Sequence, residues 1–348
     1  MPPREFIAAS AVPVAGIVTS RLLSICAALY LQAVAIGPTL AQSSATQSTA
    51  QPSGTFRERI EAAARDFADN PRFKGLTQQQ RVDRVEFVIG NMLYVLLHEV
   101  GHALIHEMDL PVLGRNEDAA DEFAAITLIR VGSAFSQHVL ANAAKGWFLS
   151  DRRNREIGEP MLFYDEHGLD AQRAYEIVCL MVGADSEKFK DLANETGLPA
   201  ERQKDCKEEY ERASRAWETL LKPHRRTADQ PKTQIDVEYG DGQGTFDVLA
   251  KTFRSSRMLE TIAGVLADQY AWPIPFKMEM QVCGHPQASY EDKTHTITIC
   301  YEEARDFVEL YRAYGALPLD LPSSKGAQSA SSDQKKESKR PQKLHRRK

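Results

Sequence analysis

The sequence predicts an α+β fold, a predominantly helical body carrying a small β-sheet, on three observations. Through most of the stretch from residue 55 to Leu221, apolar residues recur at the three- and four-residue spacing of helices buried along one face. After Pro231 the pattern shifts. Gln234 to Tyr239 alternates apolar and polar residues, and Phe276 to Val282 and Thr294 to Tyr301 read as further strands around a turn near Glu291-Asp292-Lys293. The balance of 43% hydrophobic and 26% charged residues over 348 is ordinary globular material, enough for one large core or two modest ones.

Taken in order, the chain opens with Arg4 and Arg21 ahead of an apolar run, Leu22 to Ile36, that closes in Thr39-Leu40-Ala41. Residues 1–41 are therefore expected to be a cleaved secretory signal, placing the protein outside the cytoplasm, secreted or periplasmic. An uncleaved membrane anchor is the alternative, weakened by Arg21 and by a run shorter than the about 20 residues a span needs. Residues 42–54, rich in Ser, Thr, Gln and Ala, have the composition of a flexible linker.

The main domain is expected over 55–324. Its predicted helices are Thr55 to Ala68, Arg81 to Glu107, Glu117 to Leu140, Asp170 to Val182, Ala200 to Leu221 (stopped near Pro223), Arg257 to Tyr270 and Glu303 to Tyr314. Gly90 and Gly101 each cost about 1 kcal/mol in a helix interior, so they mark places where other backbone or a ligand comes close.

Residues 325–348 hold nine Lys or Arg against Asp333 and Glu337, a net of +7, and read as a disordered basic tail. The first 42 residues carry +1, so within a chain of net −5 the stretch 43–324 carries −13. An acidic body argues against nucleic acid as a partner, since phosphate contacts need basic grooves. The tail reads as a solvated charge run, with weak contact to an anionic surface as the alternative.

The chemistry concentrates in Val95-Leu96-Leu97-His98-Glu99-Val100-Gly101-His102. Two histidines four apart share one helix face, so both imidazoles can reach one metal ion while Glu99 projects into the same pocket, the HExxH arrangement of a zinc hydrolase. A catalytic zinc needs a third protein ligand and an open position. Glu117 on the next helix is the candidate, with Asp121 one turn on as its substitute; the preferred role for Asp121 is to accept the free N–H of a ligand imidazole. One Zn2+ ion held in this way would polarise a scissile carbonyl and acidify water, with Glu99 as general base. His106 repeats the spacing once more and is expected at the outer cleft or surface. Transition-state donors stay open among His285, Tyr290, His295 and Tyr301.

The pairing of HExxH with Glu117-Asp118-Ala119-Ala120-Asp121-Glu122-Phe123-Ala124 resembles the gluzincin-like metallopeptidases. The run from His98 to Ala125 is similar to a bacterial family of secreted metallopeptidases, and the likeness extends to Cys179-Leu180, to Cys206 with Glu208-Glu209-Tyr210 and Trp217, and to Cys283-Gly284 with Cys300-Tyr301-Glu302. It implies a zincin-like core and peptide or protein substrates. Zincins usually present a sheet before the active helix, and its edge strand holds the peptide. Here the strands follow the helix, which leaves the substrate edge open.

Without the signal, four cysteines remain and permit three pairings. The exported context favours disulfides, and the sequence neighbourhoods pair Cys179 with Cys206 and Cys283 with Cys300; buried free thiols are the alternative. A cysteine zinc site is disfavoured because no Cys-x-x-Cys occurs. Two functions stand against each other: a secreted zinc peptidase carried by His98, Glu99, His102 and Glu117, and a catalytically silent zinc-binding or interaction module of the cell envelope. A silent module has no reason to keep Glu99.

Overall fold

The computed structural model describes residues 56–66 and 74–316. The expected signal, linker and basic tail lie outside the described residues. The elements in order are α1 (Phe56–Asp66), α2 (Gln78–Glu107), α3 (Asn116–Val131), α4 (Ala134–Ile157), α5 (Asp170–Ala184), α6 (Lys190–Glu195), α7 (Ala200–Leu221), β1 (Ile235–Tyr239), α8 (Asp247–Ser256), α9 (Met258–Gln269), β2 (Phe276–Gln281), β3 (Ala288–Glu291), β4 (Thr296–Cys300) and α10 (Tyr301–Tyr314). The fold is α+β and predominantly helical, as the residue pattern predicts.

α2 is the axis of the body. A reciprocal cap starts it three residues ahead of the expected Arg81: the Thr77 hydroxyl accepts the Gln80 N–H at 3.2 Å, and the Gln80 side-chain carbonyl accepts the Thr77 N–H at 2.9 Å. Its apolar residues, among them Phe87, Met92, Leu96, Val100 and Leu104, are buried. Among the described residues it is the one helix long and apolar enough to cross a membrane. That character has a simpler cause, since α1, α3, α4 and α10 all pack on it.

The glycines of α2 stand where close approach was expected. A Cβ on Gly101 would fall 2.9 Å from the Ala120 Cα, so only glycine lets α3 come this near, and a Cβ on Gly90 would meet Asn142 of α4 at 3.3 Å.

The single helix expected over 117–140 is two. Gly132 takes a left-handed conformation (φ 64°) that ends α3, and the Ser133 hydroxyl accepts the Ser136 N–H at 3.0 Å to start α4. Apolar periodicity runs through the break, which is why spacing alone joins the two.

The sheet has the order β1-β2-β4-β3, with β1, β2 and β4 parallel and β3 antiparallel to β4. The reading of two strands around one turn is thus corrected. The turn after Glu291 joins β4 to β3, whose four residues Ala-Ser-Tyr-Glu are too short and polar to announce themselves, while β2 lies parallel beside β4. β3 is one of the two edge strands, β1 being the other, and it packs against α2.

Both expected disulfides are present. Cys179 of α5 is bonded to Cys206 of α7, and Cys283, beyond β2, to Cys300 at the end of β4, with Cα separations of 5.0 and 5.6 Å.

Candidate metal centre

The helical period of α2 brings His98 and His102 together with Nε2 atoms 3.1 Å apart. The close packing of α3 at Gly101 then delivers Glu117 from its first turn, and Glu117 Oε2 lies 3.1 Å from His98 Nε2 and 3.2 Å from His102 Nε2. A tetrahedral ion with bonds of about 2.0–2.2 Å holds its donors about 3.3–3.5 Å apart, so the observed triangle needs to open by only a few tenths of an ångström to take one. Two imidazoles and one carboxylate, with the fourth side on a cleft, are the donor set of an open metal site.

The charge around His98 favours a cation. Burial alone would push its pKa down, but the hydrogen bonds and charges of Asp121, Glu117 and Glu99 outweigh this and raise it to about 9. Burial likewise works against ionised Glu117, yet the bonds from His102, His167 and His98 hold its carboxyl well below the usual range. Glu99, 6% exposed, is raised by burial, with Glu117 adding to the shift and the imidazoles of His98 and His102 opposing it.

Asp121 stands behind the triangle and outside it. Its Oδ1 lies 2.8 Å from His98 Nδ1, and an ionised carboxylate only accepts, so Nδ1 carries a proton and Nε2, which donates to Glu117 in the absence of metal, is the nitrogen left to give its lone pair to an ion that displaces its proton. Asp121 is itself fixed by Arg173 of α5, whose Nε donates to Oδ2 at 2.7 Å and Nη2 to Oδ1 at 2.8 Å. The guanidinium lies over the Trp147 ring at 3.7 Å from its centroid. Tyr94 completes the support, donating to the Asp121 carbonyl at 3.2 Å.

Three of these residues escape the sequence reading. Tyr94 carries a signal, since it precedes His98 by the same four residues that separate His98 from His102. Arg173 carries only an indirect one, because a buried carboxylate demands a cation and nothing in the sequence says which. His167, on the loop between α4 and α5, has none: its Nε2 lies 2.8 Å from Glu117 Oε2 and its Nδ1 3.3 Å from Asp165 Oδ1. It thus copies the dressing of His98, one nitrogen on a carboxylate and the other toward the centre.

The triangle forms the floor of a cleft of about 710 Å³, lined also by Glu99, His106, His167 and residues 288–290 of β3. His106 is exposed at the outer cleft, as its position on α2 implies. Of the four candidate donors, Tyr290 alone lines the cleft, and its hydroxyl donates to Glu107. His295 places Nδ1 2.8 Å from the same Glu107 oxygen, His285 turns to Gln287, and Tyr301 is buried with its hydroxyl on the Gly240 carbonyl at 2.9 Å.

Residues 58–221 match the sequence model of a family described as "Putative metallopeptidase". The match spans all of α2 to α7, and so every residue of the triangle and its supports, and ends before the sheet. No curated protein and no solved structure matches the chain.

Proposed function

We propose, from the match of residues 58–221 to the model of the "Putative metallopeptidase" family, that the protein is a zinc-dependent peptidase working outside the cytoplasm. His98, His102 and Glu117 hold one Zn2+, and Glu99 is the general base. The observation that carries this is the convergence of His98 Nε2, His102 Nε2 and Glu117 Oε2 to 3.1–3.2 Å beside a buried glutamate. The ion, when bound, supplies Lewis acidity that polarises the scissile carbonyl and acidifies water.

The chain's own residues do the rest. Glu99 takes the proton from the attacking water and returns it to the leaving amine, and burial that raises its pKa makes it a better base near neutrality. Asp121, clamped by Arg173, keeps His98 in the tautomer whose Nε2 can ligate. The free edge of β3 supports a peptide in extended form, its backbone paired with Ala288 to Tyr290 along the cleft wall. This assigns the substrate edge that the order of elements leaves open. The two disulfides support export to an oxidising compartment.

Metal analysis of the purified protein, followed by peptide digestion with and without chelator, tests the reading. Glu99→Gln should keep zinc and lose hydrolysis. Hydrolysis at the wild-type rate in that variant removes Glu99 as the base, and zinc bound without hydrolysis in the wild type leaves the silent binding module.

A further inference from the structure

Most of the exposed apolar side chains lie on two segments that lead into the cleft wall. Among the described residues nine large hydrophobic side chains are exposed, and six lie on two segments. One is the turn before α3, where Leu113 stands clear of the body; the other is the end of α4 and the loop after it, with Ile157, Met161, Leu162, Phe163 and Tyr164. Phe163 and Tyr164 are 80% and 85% exposed. Scattered surface hydrophobics need no explanation, but five within eight residues form a patch.

Both segments run into the cleft wall, the first through Leu110 and Val112 and the second through His167. They also meet, since a Cβ on Gly168 would lie 3.6 Å from the Arg115 guanidinium at the start of α3. The exposed side chains thus flank residues that line the cleft, three residues from His167 on one segment and one residue from Val112 on the other.

Charge narrows what can cover it. Residues 158–169 hold Glu159, Asp165 and Glu166 with no Lys or Arg, and the flanking Arg115, Arg152, Arg153 and Arg155 are each paired with a carboxylate, Asp118, Glu156, Asp306 and Asp151. An anionic bilayer would be repelled, whereas a polypeptide with basic or neutral flanks would not.

We propose that this rim docks an apolar stretch of an extended polypeptide substrate, with Leu113, Phe163 and Tyr164 as specificity-determining side chains. The proposal rests on the peptidase reading and names its substrate class: unfolded or extended protein segments rich in Leu and Phe and flanked by Lys or Arg.

The test uses the full-length Glu99→Gln protein loaded with zinc, and short fluorescein-labelled peptides with a Leu-Phe-Leu centre and Lys flanks, compared with the same peptides carrying Ser-Ser-Ser. Anisotropy should show the apolar peptide bound about tenfold tighter or more, the effect of burying one such side chain. In the Leu113→Ser, Phe163→Ser, Tyr164→Ser triple variant the preference should fall to about threefold or less, with circular dichroism and zinc affinity unchanged because these side chains are at least 80% exposed. An equal affinity for the two peptides, or a preference that survives the triple change, overturns the proposal. Co-sedimentation with phosphatidylglycerol vesicles that the triple change abolishes, beside indifferent peptides, overturns it in favour of a membrane. Rim-dependent binding by a wild-type protein that hydrolyses no peptide keeps the rim as a polypeptide-docking surface and removes the peptidase reading. Hydrolysis with the preference intact in the triple variant does the reverse.

Discussion

Glu117 and Asp121 sit one turn apart on α3, and removing each should fail differently. Asp121→Ala strips the partner from Arg173, whose side chain is 9% exposed and makes two hydrogen bonds to the lost carboxylate. Breaking a buried pair from one side costs about 3–5 kcal/mol, a large share of the about 5–15 kcal/mol that holds a domain together. It also frees the His98 tautomer, and loss of such a support weakens metal binding about 10–100-fold. On the proposed reading Glu117→Ala removes a ligand instead. Its carboxylate faces the cleft, where water can serve the imidazoles it leaves, so metal-free stability should change by about 1 kcal/mol or less while zinc affinity falls by more than about 100-fold.

Urea unfolding of the metal-free proteins and chelator competition on the folded ones read the two effects separately. A paired change, Asp121→Leu with Arg173→Met, replaces the buried charges by apolar bulk and should recover most of the stability without recovering zinc affinity. If Asp121→Ala unfolds at the wild-type urea midpoint, or loses zinc while Glu117→Ala keeps it, the roles assigned to the two carboxylates are wrong.

His167→Ala should leave the fold intact, its side chain being half exposed, and lower zinc affinity about 10–100-fold by freeing Glu117, measured by the same chelator competition. Gly101→Ala pushes a methyl toward the Ala120 backbone, and should cost about 1–3 kcal/mol in urea and reduce zinc retention by parting α2 from α3. Burial together with the charges of Glu122, Asp121, Asp118 and Glu209 raises Glu176 to about 8, far above its unfolded value. The folded state thus binds the extra proton, and stability falls as pH climbs from about 4.5 to about 8. Glu176→Gln should match the wild type near pH 4.5 and exceed it by about 1–3 kcal/mol at pH 8, seen in urea melts with chelator present.

Local pattern made most of the helices and the first half of the site readable, but not residues 141–157 of α4, nor α6 or α8. His98, Glu99 and His102 share a helix face by period alone, and Glu117 follows from the ligand count that zinc demands. The contact of Asp121 with His98 was legible because a shorter acid one turn beyond Glu117 is placed to hold an imidazole. What escaped depends on contacts distant in sequence. Arg173 is 52 residues from the carboxylate it neutralises, and His167 reaches Glu117 from an irregular loop. β3 escaped for a different reason: a four-residue edge strand is defined by its pairing with β4, and its own residues carry no alternation to read.

The late strands reach the cleft through Glu107. An acid at the last position of α2 opposes the helix dipole, so it persists only with donors to stabilise it, and Tyr290 of β3 and His295 of the β3–β4 turn supply them. His295 is held at φ 49°, in the left-handed region, a conformation that costs about 1 kcal/mol or more and is retained where surrounding contacts fix it. This edge strand and the helix of His98 and His102 are thereby pinned five residues beyond His102, about 7.5 Å along the helix axis. An extended chain covers that distance in about two residues at about 3.3 Å each. On the proposed reading, the backbone of β3 therefore grips the substrate about two residues from the bond that Glu99 helps to break, and the order of strands and helix along the sequence has no bearing on the result.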